Sequence, residues 1–334
     1  MEKVKGLLHH PWLLTMVGIL VVGLAALGVW YAKNRTAQKI VTGIVARPEE
    51  TIKSDGGRTN ILLLGIGGAG HEGPDLTDSM ILVSINQTTH KVSMISIPRD
   101  IWVTSMQAKI NTAYYYGSQK NGVTGGLNLE KSVVTEVTGL PVHYVVMIDF
   151  NGFVKAIDAV GGLDITVDRT FDDYMYPIPG KENAEPESAR YEHIHFDAGP
   201  AHMDGTTALK FARSRHAEGI EGTDFARSVR QQKILVAFKN KLLSGATLFN
   251  FNTLQKVENS FLGSITTDID AGQYGSFFKL FLAFEQSGQV VQPINIDDLL
   301  TNPTNTTPYQ GQWVLIPVKD WAAVHDYVAK NLSQ

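Results

Sequence analysis

The sequence predicts an α/β fold: a mixed central β-sheet sandwiched between helices and preceded by one transmembrane helix. Three observations predict it. Short apolar runs of strand length alternate with stretches whose apolar residues recur at helical spacing. Two neighbouring runs, residues 80–85 (MILVSI) and 92–97 (VSMISI), are joined by the polar NQTTH turn and read as a hairpin, which makes the sheet mixed rather than all-parallel. Residues 11–32 hold no charge, over a length that crosses a hydrocarbon core of about 30 Å as a helix.

The N-terminal elements come first. Trp12 at one end of the uncharged run, and Trp30 with Tyr31 at the other, stand where interfacial aromatics belong. The run exceeds a secretory h-region of about 7 to 15 residues and no A-x-A site follows, so it reads as an uncleaved anchor. Lys3 and Lys5 precede it while Lys33, Arg35 and Lys39 follow, so positive charge alone leaves its orientation open. Residues 1–10 form a short tail, and 33–58, polar with one proline and a Gly-Gly pair, a juxtamembrane linker. Residues 59–245 form the main folded domain and 246–334 a C-terminal extension packed on it.

Within that domain the continuous apolar run 61–64 is a central strand. Residues 127–138 carry helical spacing and stop at Gly139, a C-terminal signal. A buried strand at 144–148, a helix at 150–160 and a strand at 163–167 follow, the last two separated by Gly161 and Gly162. Residues 170–200, aromatic, acidic and proline-rich without periodicity, read as a lid or binding loop, or equally as a mobile excursion without function. Asp204 is placed to cap a helix that ends before Arg213, Gly219 and Gly222 allow a turn, and Asp224 can cap the next helix. The remainder holds amphipathic helical segments, a Pro/Asn/Thr-rich loop at 302–308, a strand-like WVLIP and a helix from Asp320 to Leu332.

Composition narrows the function. At 334 residues and 43% hydrophobic, the chain buries a full core. It has no cysteine, which excludes a disulfide framework, a thiolate zinc site and a cysteine nucleophile. A formal charge of −4 argues against general nucleic-acid binding, which needs a broad basic surface. Yet LKFARSRHAEGIEGTDFARSVRQQK, residues 209–233, holds Arg213, Arg215, Arg227 and Arg230, four of the ten arginines. A guanidinium fork suits bidentate grip on phosphate oxygens, and the nearby acids are too few to pair all four. On a helix, Asp224, Arg227 and Gln231 share one polar stripe, with Phe225 and Val229 turned elsewhere. Arg213 and Arg215 would splay about 200° apart on a helix, but share a side in an extended segment.

Other motifs are sorted by the chemistry they can do. Gly65, Gly67 and Gly70 match G-x-G-x-x-G, but a strand rather than a helix follows, so a dinucleotide site is excluded. Asp75 and Asp78, beside Thr77 and Ser79, offer hard oxygen ligands for Mg²⁺ or Mn²⁺, in competition with turn and capping roles. Arg99 and Asp100 stand where a buried strand exits, a common place for a site in α/β proteins. Lys109 and Asn111 can complete a polar pocket, while Tyr114, Tyr115 and Tyr116 read as packing. His193 and His195 share a strand face and could bind a metal, although no third ligand is placed; His216 can contact phosphate. No G-x-S-x-G or H-E-x-x-H motif is present.

Taken in order, NILLLG, LTDSMILVSIN, SIPRD, KINTAYYYG, VVMIDFNGFVKAIDAVGG, MDGTTALKFARSRH and TDFARSVRQQK resemble the LytR-CpsA-Psr family of membrane-anchored cell-wall enzymes, over roughly residues 60–243. The resemblance implies a mixed sheet between helices with a greasy pocket for a polyprenyl chain. It implies a Mg²⁺-dependent phosphotransferase that moves a glycopolymer from a polyprenyl pyrophosphate carrier to peptidoglycan, forming a phosphodiester. It also implies a single-pass protein of the cytoplasmic membrane, with the N-terminus cytoplasmic and the catalytic domain outside. Asp78 becomes the metal ligand, and Arg99, Arg213, Arg215 and Arg227 the pyrophosphate grips. Lys109, Asp224 and Gln231 belong to the same polar site. Arg230, off the Asp224/Gln231 line, is expected to support the surface. Asp100 and Asp224 are both candidates to accept the attacking proton. Many members carry an acid soon after the first strand where this chain has glycine near Gly67, and Asp75 is the candidate replacement. Two other functions fit the same residues: a polyprenyl pyrophosphate hydrolase, and a non-catalytic polyprenyl-lipid-binding protein of the envelope.

Overall fold

In a computed structural model the described residues are 47–71, 73–181, 183–242 and 265–333. The anchor expected at 11–32 lies outside them. Among the described residues no helix is long and apolar enough to cross a membrane. The chain divides into two units, Met1–Lys53 with Ile269–Gly288, and Ser54–Asp268 with Gln289–Gln334. In the first, Pro48–Thr51 forms one helical turn with proline in its opening positions, where a missing N–H costs nothing. Thr51 Oγ1 bonds Ser276 Oγ at 2.7 Å, and the Thr51 carbonyl accepts from Gln273 Nε2 at 2.7 Å, fixing the turn to the helix Tyr274–Ser287.

The second unit carries the sheet. Along the chain, β1 (Arg58–Ile66), β2 (Thr77–Asn86) and β3 (Val92–Ser96) lead to the short strands β4 (Trp102–Val103) and β5 (Ala108–Lys109). Helix α1 (Ala113–Thr138), β6 (Tyr144–Asp149), helix α2 (Phe150–Ala159) and β7 (Leu163–Val167) follow. Then come β8 (Phe171–Pro177), β9 (Tyr191–Phe196), β10 (Gly199–Met203), α3 (Gly205–Arg213), α4 (Asp224–Leu242), β11 (Ile265–Thr267), β12 (Gln292–Asn295) and α5 (Trp321–Leu332). Six strands form one sheet in the order β11-β6-β1-β2-β3-β12. β1 pairs antiparallel with β2 and parallel with β6, and β2 pairs antiparallel with β3, so the sheet is mixed, as the 80–97 hairpin implies.

Alternation along β1 explains the two layers. Leu62, Leu64 and Ile66 are buried on one face, with Val133, Val134 and Val137 of α1 and Val324 and Val328 of α5 in the same core. Ile61, Leu63 and Gly65 point the other way and are only half-buried. On that side a second core joins Ile157 of α2, Phe211 of α3 and Ile234 of α4 to β7–β10. β11 and β12 complete the sheet edges, so the stretch after 245 adds strands to the sheet.

Three expectations change. Residues 170–200 are not an irregular loop: β8 and β9 form an antiparallel hairpin with a register shift between Asp173 and Tyr176, and β10 pairs with β7. An aspartate at a buried inward position, together with that shift, erases the period-2 signal. Helix α1 starts at Ala113, well before 127, and is kinked at Asn121 and Gly122; the glycines of its first half hide the periodicity. It ends as expected at Gly139, in the left-handed conformation at φ 72°. Helix α3 is capped by Asp204, which accepts from Thr207 N at 2.7 Å, but it includes Arg213 as its last residue rather than stopping before it.

Candidate active site

The site begins where β1 and β2 lose register. Gly65 faces Ser79 and Ile66 faces Thr77, and the loop between the strands turns back through Gly67 and Gly68. Gly68 has φ +76°, and a Cβ there would lie 2.8 Å from the Asp149 Cβ; one on Gly67 would lie 2.9 Å from the His71 Cβ. A side chain at either place would press on a neighbouring one, which accounts for glycine at both.

The loop delivers Asp78 to the head of β2, where Arg99 pairs with it through Nη1 and Oδ1. β3 leaves the sheet through Pro98, so Arg99 and Asp100 emerge together, and Arg99 Nε lies 3.5 Å from Asp100 Oδ2. The β4–β5 pairing sets Lys109 opposite Trp102 and brings its Nζ to 2.8 Å from Asp100 Oδ1. Arg215 Nη2 approaches Asp100 Oδ2 at 3.9 Å. One carboxylate with only 10% of its side chain exposed thus gathers three cations, while Asp78 remains 35% exposed.

Arg213 and Arg215 do share a region, because α3 ends between them. Arg213 Nη1 donates to the Tyr176 hydroxyl at 3.3 Å and its guanidinium lies 4.2 Å from the Phe150 ring centroid. On α4, Gln231 Nε2 donates to Ser79 Oγ at 2.8 Å, tying the helix to β2 beside Asp78. Arg227 is buried one turn earlier on the same stripe. Asp224 opens the helix; its side chain lies outside the described part of the structure. Arg230 differs from the expectation that it supports the surface. It is buried, donating through Nε to the Phe211 carbonyl at 2.9 Å, through Nη2 to the Ser214 carbonyl at 2.7 Å, and through Nη1 to Glu221 Oε2 and O, both at 2.9 Å. Off the Arg227/Gln231 line, the helix turns it into the core, where it holds the end of α3 and the following turn.

Beside these polar groups lies an apolar cavity of about 210 Å³. Its floor is the half-covered sheet face, Leu63, Ile81, Val146 and Ile148, and its walls are Phe150 and Phe153 of α2 and Ile234 and Phe238 of α4. The polar lining residues are Ser79, Asp149, Arg213 and Gln231, three of which belong to the contacts above.

Two buried or charged neighbours lie behind Asp78. Glu130 of α1 is fully buried; its Oε1 accepts from Thr77 Oγ1 at 3.0 Å and Tyr114 N at 3.1 Å. Burial pushes its carboxyl up to about 8, against the opposing effect of those two bonds. The pKa of the Tyr114 phenol is raised by burial and then by the negative charge of Asp75. Among the described residues no three His, Asp or Glu side chains are grouped to hold a metal ion. Asp78 and Asp75 still suit Mg²⁺, which takes one or two carboxylates and completes its shell with water and phosphate oxygens. His193 and His195 do share a strand face, but both lie against Asp172, at 2.6 and 2.8 Å. His216 is exposed, and of the three tyrosines only Tyr114 packs; Tyr115 and Tyr116 are exposed. Ser79 stands at the site beside Asp78 as its place in the sequence suggests, whereas Asp149, Tyr176 and Glu130 are neighbours that the sequence reading does not mark. Of these only Asp149 has a local signal, as the N-cap of α2, accepting from Gly152 N at 2.7 Å.

The site is thus an apolar cleft with the Arg213 guanidinium in its lining and a charged network beside it. The LytR_cpsA_psr family matches residues 27–323, and the chain belongs to that family and is a transferase of its type. It is similar to the polyisoprenyl-teichoic acid–peptidoglycan teichoic acid transferase TagU of Bacillus cereus, 27% identical over 273 residues, which are 78% of this chain and 79% of that one. Protein gbs0355 from Streptococcus agalactiae shares the fold with a TM-score of 0.60 at 24% identity, covering 86% of this chain and 90% of that one. Bacillus subtilis TagV does so with a TM-score of 0.57 at 24% identity, covering 84% and 99%.

Proposed function

We propose that this protein is a Mg²⁺-dependent phosphotransferase that moves a glycopolymer from a polyprenyl pyrophosphate carrier to peptidoglycan, held by residues 11–32 in the cytoplasmic membrane with its catalytic domain outside. The observation that carries the reading is the apolar cavity opening beside Arg213 and Gln231, next to the network of Asp78, Arg99, Asp100, Lys109 and Arg215. A hydrocarbon chain gains about 0.8 kcal/mol per buried methylene in such a cavity, and its pyrophosphate head then meets the arginines. The relatives named as teichoic acid transferases support the same donor and acceptor classes.

Asp78, with Asp75, would hold the Mg²⁺, which supplies neutralising charge to the pyrophosphate oxygens when bound. Arg99, Arg213, Arg215 and Arg227 stabilise charge that develops on the leaving phosphate. An acceptor sugar hydroxyl attacks the phosphorus that bears the glycan. The new P–O bond forms as the bridging P–O bond breaks, and polyprenyl phosphate leaves with the bonding electrons. Asp100 meets Arg99, Lys109 and Arg215 at once and serves to hold them. Asp224, in the first turn of α4, remains the candidate to take the hydroxyl proton. Replacing Arg99 or Arg227 by alanine should lower transfer about 100- to 1000-fold without unfolding the chain. A folded Arg227→Ala chain that transferred at the wild-type rate would refute the assignment.

A further inference from the structure

We infer that Asp173, on β8, is a positioning residue of the anion site: its carboxylate braces the Arg213–Ser214–Arg215 turn and so sets where the two guanidinium groups stand. The inference rests on the pyrophosphate reading of that site. Asp173 is fully buried in the hairpin that sequence presents as a featureless loop. Its Oδ2 accepts from Ser214 Oγ at 2.7 Å, Arg215 N at 3.1 Å and His216 N at 3.2 Å, and its Oδ1 accepts from Met175 N at 2.9 Å. Ser214 is itself fully buried, and an isolated bridge joins Asp173 to Ala217, so the whole turn after α3 lies against β8.

The same hairpin carries Tyr176, the hydroxyl partner of Arg213, whereas Arg215 reaches forward to Asp100. One carboxylate therefore fixes the backbone from which both arginines extend. Three donors converging on one oxygen call for an anion. An asparagine cannot reproduce the arrangement, because in either amide orientation its NH₂ faces a donor, at Met175 N or at the 214–216 group. The carboxylate of the neighbouring Asp172 faces His193 and His195, and only its main-chain carbonyl reaches the segment after α3, accepting from Glu218 N at 3.3 Å.

The test is the affinity of the full chain in detergent, with Mg²⁺, for inorganic pyrophosphate, measured by calorimetry together with thermal unfolding. Asp173→Asn should weaken binding at least tenfold and Ser214→Ala, which removes one of the three donors, about threefold, both as folded proteins; Asp172→Asn should bind as wild type does. A folded Asp173→Asn chain with wild-type affinity overturns the inference alone, and so does an equal loss in Asp172→Asn. Should Asp173→Asn fail to fold, an unchanged affinity in Ser214→Ala overturns it. A wild-type chain that binds no pyrophosphate overturns the anion site and the inference together.

Discussion

Asp78, Asp100 and Glu130 are three carboxyl groups near the head of β2, and their surroundings give them different work. Asp78 is partly open to solvent and meets Arg99, Asp100 is enclosed by cations, and Glu130 is sealed in the core with one oxygen engaged and the other, Oε2, without a hydrogen-bond partner. Burial favours the neutral acid at Glu130 and pushes its pKa from the ordinary 4.5 to about 8. Between those values the folded chain keeps a proton that the unfolded chain has released, so stability falls as pH rises through the window and levels off above it. Glu130→Gln removes that dependence. Its unfolding temperature should change less from pH 5 to pH 8 than that of the wild type; parallel curves would show that Glu130 is ionised in the fold. The arginines after α3 stand out in the sequence because arginine is rare in this chain and gathers there, and Arg99 and Asp100 because they follow directly on a buried strand. Glu130 is not, since a single acid in a helical stretch looks like a solvated one until its burial is known.

At the scale of elements, α4 separates arginines that sequence groups together. Arg227 and Gln231 share the stripe toward β2, while Arg230 is packed into the second core with four hydrogen bonds and a guanidinium 5.0 Å from the Phe171 ring. Arg230→Met leaves the Glu221 carboxylate and three main-chain carbonyls, those of Phe211, Ser214 and Glu221, without their donor, and should cost about 3–5 kcal/mol in chemical denaturation. Arg227→Ala should lose activity in a chain that still folds, so the two variants separate a structural arginine from the one proposed to meet the ligand; a folded Arg227→Ala chain with wild-type activity would contradict the division. The strands of the central sheet and the caps at Asp204 and Gly139 were readable, because apolar runs and capping residues act locally. The β8–β9 hairpin was not, because Asp173 occupies an inward position that periodicity reserves for an apolar residue. The early half of α1 was hidden in the same way by its glycines and its kink.

For the whole molecule, the mixed sheet has one face closed by α1 and α5 and the other left half-covered, and the proposed function rests on that asymmetry. The half-covered face offers a hydrocarbon site, while the strand ends at Asp78 and Arg99 and the segment after α3 supply charge beside it. Sequence showed the run of apolar residues on β1, but not that Leu63 and its neighbours would remain partly open, since that depends on how α2 and α4 pack. The joint presence of tail site and anion site is the central claim. It is tested most directly by incubating the full chain in detergent with Mg²⁺, a polyprenyl pyrophosphate-linked glycan and a peptidoglycan fragment, then analysing the products by mass spectrometry. The account predicts a phosphodiester-linked glycan–peptidoglycan product, with polyprenyl phosphate released in equal amount. A glycan phosphate formed at the same rate with or without the fragment, or no turnover of a bound donor, would contradict it.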